Sequence, residues 1–450
     1  MRHVFAIQDI EVVVALLVVS MAVALAARRL RVPYTLALVL VGLALGIFGA
    51  LPNVRLSPDA VLFLFLPALL FEGSWTVNTE ALVADWLAVL LLALPGLLIS
   101  LAVLTMVLHV ATGLPILVAL VIGAIVSPTD PVAVVSLLRQ LKMPARLRTI
   151  VEGESLFNDG VGAAVFEIAL GLLLTSLKLP NELAGLSPPV IALKAVWLIL
   201  GGPLLGVGIG FVLSRLVRHV DDHVIETTLT FSVAYGAYIL GLLVGTSGLL
   251  TVVGAALTLG SYGRRTGMSR RTRYAVDDIW EFVGYVANSI LFLLLGHQIG
   301  ASGLVKDIPD IAWAVTGVLV GRALMVYLLL PAHTWLATRL RAPRPMEPPT
   351  APRTARSVPR HARLEPIPSI WRPLILLSGL RGALSLALAL SLPGNVPQRS
   401  LIQLTVYGVV LVTLLGQGIG LRALLPRWPR AEPPRSVIVY SGDGAAPRPD

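Results

Sequence analysis

The chain has no cysteine among its 450 residues. Disulfides, thiolate metal sites and cysteine nucleophiles are therefore excluded together. Charge is almost as scarce: Asp, Glu, Lys and Arg make up 13% of the residues, about half the roughly 25% of a soluble domain. Too few polar side chains remain to coat a water-facing surface, while 56% of the residues are hydrophobic and mean hydropathy is +0.84. Lipid, not water, is the solvent of this fold. A cleavage site is lacking as well. The first apolar run, Val12 to Ala27, ends in Arg28-Arg29 rather than in small residues, so it reads as a first span and not as a removable signal.

What the chain does have is long apolar runs. One crossing of about 30 Å of hydrocarbon needs roughly 20 residues as a helix. Windows of about 19 residues place about 13 spans, at 9–28, 33–50, 58–75, 84–110, 115–137, 148–176, 189–215, 224–244, 246–261, 274–300, 309–337, 371–392 and 400–424. The fold class is thus all-α and polytopic. Only Gly245-Thr246-Ser247 separates the eighth from the ninth span, which leaves a single broken element open. The formal charge of +10 invites a nucleic-acid partner, but its distribution argues against one. With the N-terminus outside, alternate connections carry Arg28, Arg29 and Arg31; Arg139, Lys142, Arg146 and Arg148; Arg215 and Arg218; Arg264 to Arg273; and Arg339 to Arg363. The opposite connections hold mostly single cations, Arg55, Lys178, Lys306 and Arg399. That alternation is the positive-inside pattern of a multi-pass protein of the inner cell membrane, with the C-terminus in the cytoplasm. The domain reading follows: spans one to eleven over 1–340, a disordered Arg- and Pro-rich cytoplasmic linker at 341–369, spans twelve and thirteen over 370–425, and a short tail at 426–450.

Ionisable residues inside spans carry the chemistry, because an Asp or Arg at the centre of a span costs about 2.5–3.5 kcal/mol. Glu72 lies towards the cytoplasmic end of the third span, where snorkelling is the bland alternative. In the fifth span Thr129 and Asp130 stand between Pro128 and Pro131. Each proline removes a helical N–H and frees a carbonyl one turn earlier, and oxygen-rich backbone beside a carboxylate suits a hard cation such as sodium. A proline kink accounts for the prolines but not for Asp130. The sixth span reads Glu-Gly-Glu-Ser-Leu-Phe-Asn-Asp-Gly from Glu152 to Gly160. Ser155 and Asp159 share a face, as do Glu154 and Asn158. Arg322 and Arg381 lie inside the eleventh and twelfth spans and cannot shed their protons. Glu154 is the expected partner of Arg322, a pair that would hold the sixth span beside the eleventh. Breaks at Ser127–Pro131 and Ser378–Gly382 fall seven spans apart, as two inverted six-helix repeats with a linking helix require. Crossed at the midplane, their opposed helix termini would be balanced by Asp130 and Arg381.

Ser-Pro-Thr-Asp-Pro-Val-Ala-Val at 127–134 and the segment at 152–160 resemble signatures of the monovalent cation:proton antiporter family, in its sodium/proton-exchanging, NhaP-type branch. Leu-Leu-Phe-Glu at 69–72, Asn288 to Gly296, and Gly-Leu-Arg-Gly-Ala at 379–383 extend the resemblance over nearly the whole chain. The resemblance implies a thirteen-helix fold, usually a homodimer, in which a six-helix transport bundle moves against a dimerisation scaffold. It implies sodium held by groups matching Asp130, Asp159, Ser155, the Thr129 carbonyl and Glu72. It also implies a Glu154–Arg322 pair, and electroneutral exchange where Asn158 precedes the essential carboxylate. Unlike animal members, this chain has no long regulatory tail, and it carries the insert before the twelfth span. Glu167 remains unassigned.

The mechanism expected is competition at one shared site. A carboxylate that holds a cation gives up its proton, and one that holds a proton repels the cation; only the neutralised site crosses the barrier cheaply. Substrates are protons and sodium, with lithium or potassium open, and no cofactor is expected. An intramembrane aspartyl protease is the enzymatic alternative, but Thr-Asp-Pro and Asn-Asp-Gly are not its Gly-x-Gly-Asp setting. A cation channel fits broken helices and few buried carboxylates less well than alternating access does.

Overall fold

A computed structural model describes residues 7–30, 34–49, 61–218, 222–302, 307–340 and 365–424. Helices alone occur among the described residues, as they must where lipid offers no partner to an open sheet edge. In chain order they are α1 (Ile7–Leu30), α2 (Tyr34–Ile47), α3 (Val61–Thr76), the short α4 (Thr79–Ala84), α5 (Trp86–Thr112), α6 (Ile116–Val126), α7 (Val132–Gln140) and α8 (Ala145–Ser176). There follow α9 (Pro188–Val217), α10 (His223–Leu243), α11 (Gly248–Thr258), α12 (Arg270–Ser302), α13 (Ile308–Leu340), α14 (Arg372–Leu377), α15 (Ala383–Leu390) and α16 (Arg399–Leu424). Seven of the described helices are both long and apolar enough to cross a membrane, and α2, α3 and α6 are shorter apolar helices.

The expected spans at 115–137 and 371–392 are each two helices, α6/α7 and α14/α15, with irregular backbone between. The eighth and ninth spans are separate helices. Gly245 turns the chain at φ 71°, and the Ser247 hydroxyl accepts from the Leu250 N–H at 3.3 Å to start α11. The α10 start is fixed in the same way by Asp222, whose carboxylate accepts from Val224 and Ile225; those two N–H groups hold its carboxyl below the usual range. Of the expected linker, 341–364 lies outside the described residues, as does the tail at 426–450. Glu365–Pro368 lead into α14, and Arg146 at the start of α8 holds them through the Glu365 and Pro366 carbonyls at 2.6 and 3.2 Å.

The helices pack in two groups. One comprises α5–α8 with α13–α16; the other comprises α1–α3 with α9–α12. In the second group α2 lies against α12 backbone to backbone. A Cβ at Gly296 would meet Leu43 N at 2.6 Å and the Gly42 carbonyl carbon at 2.9 Å. In lipid, where apolar burial gives no drive between helices, such close approach supplies the van der Waals energy. Gly296→Val is expected to cost about 1–3 kcal/mol through overpacking, read as a lower melting midpoint of the detergent-purified protein. By contrast α9 buries only 28% of its most apolar window and leaves Leu193, Trp197, Leu204 and Phe211 exposed, as a lipid-facing helix does.

Candidate functional site

The two breaks meet. Pro131 cannot donate to the Ser127 carbonyl, which is left unpaired by its own helix at the end of α6. The Arg381 guanidinium, from the other break and 1% exposed, donates to that oxygen and to the Pro128 carbonyl, the latter at 3.0 Å. A fixed cation thus closes the negative end of α6. In return the Asp130 N–H donates to the Leu380 carbonyl at 2.7 Å. The Asp130 carboxylate lies against Gly382, the N-cap of α15, where a Cβ would collide with it. Glycine is required there because the acid occupies the space of a side chain. Each break therefore presents the charge that the opposing helix end attracts.

Behind the first break stands α8. Asn158 accepts from the Thr129 N–H at 3.1 Å and donates to Thr129 Oγ1 at 3.1 Å, so its amide replaces helical bonds lost at the break. Ser155 Oγ lies 3.0 Å from the same Thr129 hydroxyl. Asn158 Nδ2 also reaches Glu154 at 3.5 Å. Glu154 is completely buried and paired with Arg322. Arg322 in turn donates to the Ile375 carbonyl at 2.9 Å, near the C-terminus of α14. Both broken helices thus have an arginine on the carbonyls of their first half.

A cavity of about 720 Å³ reaches this region. Asp130, Asp159, Thr129 and Glu72 line it. Asp159 lies close enough to Asp130 to interact with it electrostatically, and Glu72 likewise interacts with Asp130. Ser155, Asn158, Glu154, Arg322 and Arg381 do not line the cavity; they sit behind its wall and hold it. The cavity also passes Arg139 and Arg264, which are paired with Glu152 at 3.0 Å and Asp277 at 2.5 Å. Among the described residues no cluster of three or more His, Asp and Glu side chains is drawn together tightly enough to hold a metal ion. The carboxylates are spread around water-sized space, an arrangement that leaves room for hydroxyls, backbone oxygens and water around a cation.

Sequence reasoning gave no role to one wall of this cavity, of which it singled out only Asn288. Asp277, Glu281, Tyr285 and Asn288 line it from α12, spaced by four, four and three residues. That periodicity was the available signal. Glu167 lies elsewhere: it is exposed, and its charged neighbours are Lys194 and Glu182, themselves paired at 2.5 Å.

A two-group helical bundle with crossed breaks and buried acids is matched by a known family. The model of the transmembrane sodium/hydrogen exchanger family matches residues 13–427. The chain belongs to the sodium/hydrogen exchanger family. Relatives of this exchanger include the low-affinity Na+/H+ antiporter NhaS1 of Synechocystis, 36% identical over 91% of this chain and 73% of the relative. The Na+/H+ antiporter NhaH of Halobacillus dabanensis is 32% identical over 92% of this chain and 96% of its own length. Among solved structures, the antiporter MjNhaP1 of Methanocaldococcus jannaschii superposes with a TM-score of 0.69 at 20% identity, covering 93% of this chain and 96% of that one. That likeness shows the fold alone. The exchanger is an integral membrane transporter rather than an enzyme.

Proposed function

We propose that this exchanger trades sodium for protons across the cell membrane, one for one, through competition at Asp159 and Asp130. The observation that carries the reading is one cavity lined by both aspartates, with Arg381 behind its wall as the fixed charge of the crossing. Sodium would take its oxygens from Asp130, Asp159, Thr129 and Glu72, with Ser155 ordering Thr129; lithium and potassium fit the same donors. Asn158 supports electroneutrality, since it supplies an amide rather than a third charge beside Asp159. The shorter and broken helices complete a set of about 13 spans in two inverted repeats, and the group containing α5–α8 and α13–α16 moves against the other. The cavity opens to the cytoplasm, because Arg139 and Arg264 belong to the Arg-rich connections. The N-terminus is then outside and the C-terminus inside, and two copies pair as a homodimer through the static group. No cofactor takes part.

Proteoliposome exchange tests this. Sodium applied to acid-loaded vesicles is expected to drive proton release, with the same rate whether or not a potassium diffusion potential is imposed. In the competitive regime the apparent KM for sodium should rise as pH falls, towards about tenfold per unit for one displaced proton. A rate that follows the imposed potential overturns the one-for-one stoichiometry, and a KM independent of pH overturns the shared site.

A further inference from the structure

Hydroxyls inside membrane helices ordinarily bond to the carbonyl one turn back. Ser74, Thr112 and Ser214 do so here at 2.5, 2.6 and 2.6 Å. Ser385 does not. It is 1% exposed, and its Oγ has no hydrogen-bond partner. The reason is local: Ser385 is the third residue of α15 after the N-cap Gly382, so the carbonyl four residues back, that of Arg381, lies in the break and outside the helix. A buried hydroxyl without a partner is costly, and such a group in a native fold needs an explanation such as an ion or an ordered water. Among the described residues three other buried hydroxyls share this condition, Thr105, Ser127 and Thr405. Of the four, Ser385 lines the cavity that Asp130 and Asp159 line.

We infer that the Ser385 hydroxyl is a further oxygen donor to the transported cation, given directly or through one water on the ion, and that it helps set cation affinity. The inference rests on the reading of Asp130 and Asp159 as the exchange site. It also places a donor from the second break opposite those of the first, Thr129 and Asp130, so that both repeats contribute oxygen to one ion. A hydroxyl suits this place because it adds an oxygen without adding charge and leaves the one-for-one exchange unaltered. An ion with fewer carboxylate ligands than a tight metal cluster needs such neutral donors.

The test is Ser385→Ala in proteoliposomes, with sodium and then lithium as the cation. Alanine removes an oxygen without adding bulk, and a merely structural role for an unpartnered hydroxyl predicts no loss. The expected result is an apparent sodium KM raised roughly three- to tenfold, a maximal rate within about twofold of wild type, and a changed sodium-to-lithium KM ratio. Thr405→Val, which deletes an equally unpartnered hydroxyl away from the cavity, is expected to keep the wild-type KM. An unchanged KM in Ser385→Ala overturns the inference, as does an equal shift in Thr405→Val. Wild-type exchange retained by Asp159→Asn would instead overturn the site itself, which separates the two failures.

Discussion

Asp159→Asn is expected to abolish sodium-dependent proton movement in everted vesicles while the protein remains inserted and monodisperse. The carboxamide is nearly isosteric, so packing on α8 is undisturbed. What it loses is the ability to alternate between a proton and a cation. An asparagine at this position holds neither a removable proton nor a charge that sodium must neutralise, and the coupling between the two ions disappears with it. Measurement of dye dequenching on sodium addition, at matched protein content, decides the matter. Residual sodium-dependent dequenching near the wild-type rate would show that Asp159 is not the exchanging group. Glu72→Gln should be milder, since Glu72 lies on a different group of helices from the two aspartates.

The second large effect concerns stability. Removing one member of the Glu154–Arg322 pair leaves the other charged and buried, at 0% and 2% exposure. Loss of one partner of such a pair costs about 3–5 kcal/mol. For Arg322→Leu that corresponds to a melting midpoint lowered by roughly 5–10 °C, with a further loss because the Ile375 carbonyl forfeits its donor. Glu154→Leu strands the guanidinium, which cannot neutralise itself, and also removes the oxygen that Asn158 touches. The two substitutions together should be less damaging than the sum of the singles, with a coupling of about 0.5–3 kcal/mol as expected for contacting residues. Strict additivity in the melting midpoints of the three proteins would mean that Glu154 and Arg322 do not act as one unit.

Much of this arrangement was readable because lipid makes polarity expensive. Pro128 and Pro131 around Asp130, and glycines around Arg381, mark broken backbone at places where a regular helix would be cheaper. Arginine inside a span had to find an acid or bare carbonyls, and both solutions occur: Arg322 takes Glu154 and Arg381 takes Ser127 and Pro128. Ser155 was less legible. Its spacing to Asp159 is right for a shared helix face, yet Asp159 lines the cavity while the Ser155 hydroxyl lies against that of Thr129. Asp277 and Glu281 escaped notice because they follow four arginines at 264–271 and resemble the solvated end of a helix. Ser385 left no trace at all, since a serine in a membrane helix usually satisfies itself.

The reciprocal closure of the breaks has a consequence for how the protein is made. The Ser127 carbonyl and its Arg381 donor are 254 residues apart in the chain. At a synthesis rate of about 5–20 residues per second, roughly 13–50 s separate their appearance from the ribosome. Until Arg381 appears the first break lacks the guanidinium that closes it, and Glu154 likewise waits the 168 residues to Arg322, roughly 8–34 s at the same rate. The half-made protein therefore holds uncompensated carboxylates and bare carbonyls, and a translocon or chaperone that shelters the fifth and sixth spans until the twelfth arrives would be guarding the future transport site.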